Sequence, residues 1–218
     1  MLALVPGAAV ANLFEAGSVA QMAANVTVLP VAILVSVIVW LQANRRVYRQ
    51  SLRLADAFGF ARGNTVRCLL LGLGTGLMLV IIAMMLAWCT NELLKAFGDE
   101  AEPQKLVTLI AEEAAKPDRT ASLIFFVVMA VAVAPIAEEI LFRGILYPAI
   151  KQIGHPSLAA IGTAILFALF HVNLLTFASL TVVALGLIAV YELTDNLLAP
   201  ITAHAVFNAS NLIMLFSQ

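Results

Sequence analysis

Between Ala121 and Ile150 the sequence is almost wholly apolar, yet Glu138, Glu139 and Arg143 stand in its middle, within APIAEEILFRGILY (134–147). A run of that length and character reads as a membrane-spanning helix, because about 20 apolar residues are enough to cross the hydrocarbon. Each ionisable group placed there costs roughly 2.5–3.5 kcal/mol on insertion scales, so the three need partners or a wet cavity. On a helix, Glu139 and Arg143 are i and i+4 with the acid N-terminal to the base, the better order for a pair on one face. Glu138 is rotated by about 100° from its neighbour and shares that arginine less easily. One glutamate is therefore read as paired and the other as available. The competing reading is a purely structural charge cluster that registers helices against each other.

The rest of the chain agrees with a membrane setting. At 62% hydrophobic and 11% charged residues, with a mean hydropathy of +1.01, the composition excludes a soluble globular domain. The period-2 alternation of a membrane barrel is missing, so the fold expected is all-α, a polytopic bundle of about six to seven transmembrane helices. The net charge is −1, and nothing suggests a nucleic-acid partner. Cys68 and Cys89 fall near opposite ends of one expected helix, about 31 Å apart, too far for a disulfide. The first Lys or Arg is Arg45, so the basic start of a cleavable signal peptide is not seen and the first span is expected to stay in the membrane.

Taken in order, residues 1–23 are apolar but broken by Pro6, Gly7, Glu15 and Gly17, and read either as an interfacial segment or as an extra span. Val26 to Leu41 is expected as the first helix. From Asn44 to Arg67 the chain holds Arg45, Arg46, Arg49, Arg53, Arg62 and Arg67 against Asp56. By the positive-inside rule this loop 44–67 is cytoplasmic and the N-terminus lies outside, in a cell (inner) membrane. Cys68 to Cys89 is the second expected helix, and Gly72-x-x-x-Gly76 inside it reads as close helix packing rather than a nucleotide loop. Residues 91–119 are the one long polar stretch, expected as an external connector containing one or two amphipathic helices. The division is thus an N-terminal transmembrane region, 1–120, and a second transmembrane region, 121–218. In the second, Pro135 removes a backbone hydrogen bond just before Glu138, so a kink or a freed carbonyl is expected there. His155, before Pro156, is read as a loop residue.

Two further helices bring polar stations to the same depth. Phe167 and His171 are i and i+4 on one, His204 and Asn208 on the last. Glu138 lies about 18 Å from the cytoplasmic end of its helix and His171 about 22 Å along the next, and Asn208 falls at a similar level. A lone membrane histidine is ordinarily a helix-to-helix hydrogen bond. Three stations at one depth point instead to a site, with a polar cavity open to the cytoplasmic side to admit water.

Glu138-Glu139-x-x-x-Arg143, Phe167-x-x-x-His171 and His204-x-x-x-Asn208, in this order on successive membrane segments and with Gly144 after the arginine, resemble the signature of the CAAX protease and bacteriocin-processing (CPBP, or Abi) intramembrane proteases, to which type II CAAX prenyl endopeptidases belong. The resemblance covers about residues 121–216. It implies an endopeptidase in which Glu138 is the general base, His171 helps it hold and activate a water, and His204 and Asn208 stabilise the oxyanion. Glu139 with Arg143 is then the structural pair, and Phe167 either lines the cavity or packs. It implies a peptide or membrane-protein substrate within the lipid bilayer. The metal is an open point: a metal-free, glutamate-dependent site is the expectation, and Glu138, Glu139, His171 and His204 are the ligand set if Zn²⁺ is used, although H-E-x-x-H is absent. Two other functions remain beside the protease. One is a non-proteolytic scaffold or immunity protein using the same polar core, and the other a proton-coupled transporter, against which the lack of a visible inverted repeat counts. Substrate identity and oligomeric state are not legible.

Overall fold

The computed structural model describes residues 13–14, 18–47, 54–98 and 120–217, and among them every regular element is helical. The chain is a multi-pass, all-helical membrane protein. Helix α1 (Val19–Val47) starts where Ser18 Oγ accepts the Gln21 N–H at 3.1 Å, an N-cap that satisfies one of the free donors of the first turn. It is longer at both ends than the expected Val26–Leu41, because the apolar run marks where lipid contact begins and not where the backbone ladder stops. The segment 1–12, the arginines at 49 and 53, and residues 99–119 of the polar stretch lie outside the described residues.

A single turn, α2 (Leu54–Ala57), leads to α3 (Thr65–Ala96), capped by Asn64. Its last turns take in residues expected to begin the polar connector, with Lys95 Nζ 2.9 Å from Glu92 Oε1 on the solvated end. Cys68 is buried and Cys89 exposed, both free. The stripe Leu70, Leu73, Leu77, Ile81 and Met85 is exposed, as a lipid-facing surface should be. On the opposite side, a Cβ on Gly72 would come within 2.5 Å of Ala199 O, and one on Gly76 within 2.6 Å of Ala203 O. These two glycines let α3 lie directly on the last helix, its most extensive packing partner.

Helix α4 spans Thr120–Lys151 and is interrupted by two π-helical turns, Met129–Val133 and Ile140–Leu146. In each, backbone bonds reach back five residues instead of four. Ala134 N–H closes on Met129 O and precedes Pro135, and Tyr147 N–H closes on Phe142 O and precedes Pro148. The kink expected at Pro135 is thus a π turn, and the two glutamates sit on the α-helical stretch between two such turns.

Helix α5 (Pro156–Phe170) follows His155, which is an exposed loop residue. Its 15 residues reach about 22 Å, short of the roughly 30 Å of a hydrocarbon core. It turns back through His171, Val172 and Asn173 into α6 (Leu174–Thr194), whose cap is the Asn173 side chain. The last helix is α7 (Leu198–Phe216). Among the described residues, five helices are long and apolar enough to cross a membrane and α5 is a shorter apolar one, beside an expectation of six or seven crossings for the whole chain. Lys151 Nζ lies 2.6 Å from Glu192 Oε2, tying the end of α4 to the end of α6 beside the start of α5. His171 therefore rises into the bundle from that same end, toward the level of Glu138.

One buried cluster joins α3 to α7, including Leu79, Phe142, Phe167, Val183, Leu187 and Ala203. The α6–α7 turn is clasped by the loop after α2. Asn196 Nδ2 donates to Arg62 O at 2.8 Å while its Oδ1 accepts the Leu198 N–H at 2.8 Å, and Leu197 N–H reaches Phe58 O at 3.2 Å. Gly59, at φ +73°, lies so close that a Cβ would meet Asp195 O at 2.3 Å. Phe58 also fills the space beside Gly144, where a Cβ would meet the ring at 2.8 Å. The start of α7 is thereby held against α4.

Candidate active site

Arg143 is the largest fully buried side chain and Glu139 is 0% exposed beside it. Arg143 Nη1 donates to Glu139 Oε1 at 2.8 Å and Nη2 to Ala184 O of α6 at 3.0 Å. The guanidinium also lies 5.0 Å from the centre of the Phe167 ring, a cation–π distance. A buried guanidinium with two charge-assisted bonds and an aromatic face joins three helices at one point.

His204 enters from α7. Its Nδ1 is 2.9 Å from the same Glu139 oxygen, and since a carboxylate only accepts, Nδ1 carries the hydrogen. The opposite nitrogen, Nε2, is 3.8 Å from Glu138 Oε2, beyond hydrogen-bond reach but well within electrostatic range. Glu139 is thus shared between Arg143 and His204, a bridge the i, i+4 spacing alone does not reveal. The cue available in the sequence is arithmetic: a guanidinium has more donors than one carboxylate can occupy, and a carboxylate more lone pairs than one arginine uses.

Glu138 differs. Its side chain is 25% exposed, although its Oε2 is itself buried and, like Glu139 Oε2 and Arg143 Nε, makes no hydrogen bond among the described residues. Phe167 is buried, with its ring 4.8 Å from that of His171, 5.7 Å from His204 and 5.1 Å from Phe142. His171 is the residue that ends α5, with Nδ1 2.9 Å from Phe167 O. Among the described residues no hydrogen bond or ion pair joins His171 to Glu138; Phe167 lies between His171 and His204. Asn208 likewise does not reach the glutamates, and donates from Nδ2 to Ala130 O at 2.7 Å.

A cleft of about 250 Å³ lies between α1 and α4, lined by Ala32, Ile33, Ser36, Val37, Leu141 and Ile145, and it is apolar but for Ser36. For a metal, the donors fit poorly as they stand. Glu139 is committed to Arg143 and His204, His171 faces its own backbone, and no three His, Cys, Asp or Glu side chains among the described residues form a set that could hold an ion.

Every one of these residues, from Glu138 to Asn208, falls within residues 120–210, which match the family model described as type II CAAX prenyl endopeptidase Rce1-like. Over those residues the chain is similar to the Rce1-like family. No curated protein and no solved structure matches the chain. The Rce1-like match takes in α4 to α6 and most of α7, while α3, which buries Gly72 and Gly76 against α7, stands outside the matched residues. The family is one of CAAX-type membrane proteases, and the three polar stations of this Rce1-like region are carried by α4, by the end of α5 and by α7.

Proposed function

We propose that this protein is an intramembrane endopeptidase that hydrolyses a peptide bond of a membrane-associated peptide or protein, with Glu138 as the general base. One observation supports this most. Of two adjacent carboxylates, Glu139 is fully buried with one oxygen shared by Arg143 and His204, whereas Glu138 lies in no ion pair with Arg143, keeps a side chain 25% exposed and faces the His204 imidazole. A carboxylate so placed takes a proton from water as the water attacks the carbonyl carbon, and returns it to the leaving amine as the C–N bond breaks. His204, held by Glu139 through Nδ1, turns Nε2 toward Glu138 and is the donor to the developing oxyanion. His171, across Phe167, completes the water's surroundings. The reading is metal-free, and no step is assigned to zinc. By the positive-inside rule, the loop 44–67 faces the cytoplasm and the N-terminus the outside.

The experiment is cleavage by purified wild type and Glu138→Gln in detergent, with a pool of prenylated and membrane-derived peptides read by mass spectrometry. New termini from the wild type alone, at a rate at least ~100-fold above the variant, are expected. Repetition with a chelator measures any metal requirement. Cleavage by both proteins alike would remove Glu138 as the base. Function intact in Glu138→Gln without cleavage by either would favour the scaffold, and proton flux in sealed vesicles the transporter.

A further inference from the structure

Asn208 stands apart from the other polar side chains near Glu138, because its amide already has a use. Nδ2 donates at 2.7 Å to Ala130 O, from α7 across to the first π turn of α4. The backbone explains why that carbonyl is available. Ala134 N–H closes on Met129 O, and the next bond of the same pitch would run from residue 135 to Ala130 O. Residue 135 is a proline and has no N–H. A carbonyl at this depth has little water to turn to, and a polar group left unpaired there is costly.

We infer that Asn208 is a positioning residue whose side chain replaces the N–H that Pro135 lacks, and that it thereby pins the turn carrying Glu138 to the helix carrying His204. What is positioned rests on the protease reading, whereas the contact itself does not. The role implied by family resemblance, donation to an oxyanion, makes a different demand on the same amide. An oxyanion donor cannot be replaced from residue 135. A carbonyl cap can.

Pro135→Ala supplies an N–H at the position facing Ala130 O, so four proteins decide the matter: wild type, Pro135→Ala, Asn208→Ala and the double variant. In thermal melting in detergent, Asn208→Ala is expected to lower Tm by roughly 3 °C, the effect of one buried hydrogen bond in a chain of this size. In the Pro135→Ala background the same change is expected to cost less than half as much. Equal losses in both backgrounds would overturn the inference. Asn208→Asp, which keeps the shape and removes the amide donors, serves if the alanine variant does not fold. In the cleavage assay, loss of an oxyanion donor is worth about 100–1,000-fold in kcat. Recovery of most of that loss by Pro135→Ala is expected, and a loss that Pro135→Ala leaves untouched would overturn the positioning role. Silence from all four proteins would count against the protease reading, while the melting comparison would still decide the contact.

Discussion

Glu138 and Glu139 are neighbours in the chain, yet they open onto two different regions of the molecule. On the Glu139 side, Arg143 and His204 hold the carboxylate, Ala184 O and the Phe167 ring hold the arginine in turn, and the side chains of Glu139, Arg143, Phe167 and His204 are buried almost completely. On the Glu138 side, a side chain that is a quarter exposed turns its buried Oε2 toward His204 Nε2 at 3.8 Å, with no hydrogen bond to that oxygen among the described residues. The first region joins α4, α6 and α7 through one Glu139 oxygen and the two terminal nitrogens of Arg143, with Glu139 Oε2 and Arg143 Nε left without a hydrogen bond among the described residues. The second makes no such tie between helices, and its side chain is the one that reaches solvent. Chemistry and cohesion are thus divided between adjacent residues, and His204 belongs to both.

The division can be broken from the closed side. Arg143→Leu leaves Glu139 buried without its cation and is expected to cost about 3–5 kcal/mol, because removing one partner of a buried pair strands the other charge. Denaturant or thermal unfolding in detergent measures it, and a loss under about 1 kcal/mol would mean the pair is not the knot described here. A smaller effect is expected from Gly76→Ala. The added methyl would meet Ala203 O at 2.6 Å and the Val206 side chain at 2.8 Å. Backbone cannot give way as a flexible side chain does, so α7 must move, at a cost of about 1–3 kcal/mol. Since Ala203 precedes His204, the same variant is expected to reduce cleavage as well as Tm. The smallest effect is expected from Arg62→Ala. Its 2.5 Å ion pair with Asp195 is largely exposed on both sides, and such pairs contribute at most about 1 kcal/mol. A melting shift no larger than that would show that burial, not charge as such, makes the Glu139 side cohesive.

Several parts of this arrangement are written in local spacing. Glu139 and Arg143 pair as i, i+4 residues do, and Gly72 and Gly76 mark the face on which a neighbouring helix lies closest. Pro135 announces a disturbed backbone just before the glutamates. The form of the disturbance is not legible, because apolar periodicity assumes the α-helical pitch and a π turn shifts every later residue around the axis. The same shift exposes Ala130 O and draws Asn208 to it, which spacing on α7 alone does not reveal. Helix α5 ends at His171, about where the apolar run gives out. Asn173 caps the following helix, and Val172, at φ 48°, makes the turn. A left-handed β-branched residue is not signalled by the sequence. Helix α3 passes Cys89 because hydropathy falls before the backbone ladder ends.

The most direct test puts cleavage and melting on one preparation of Glu138→Gln. The expected result is loss of peptide cleavage with a Tm within about 2 °C of wild type, since the substitution keeps the shape of a partly exposed side chain and removes only its capacity to accept a proton. Cleavage at the wild-type rate would contradict the assignment of Glu138 as the base. A collapse in Tm would place Glu138 with Glu139 in the closed region and erase the distinction between the two.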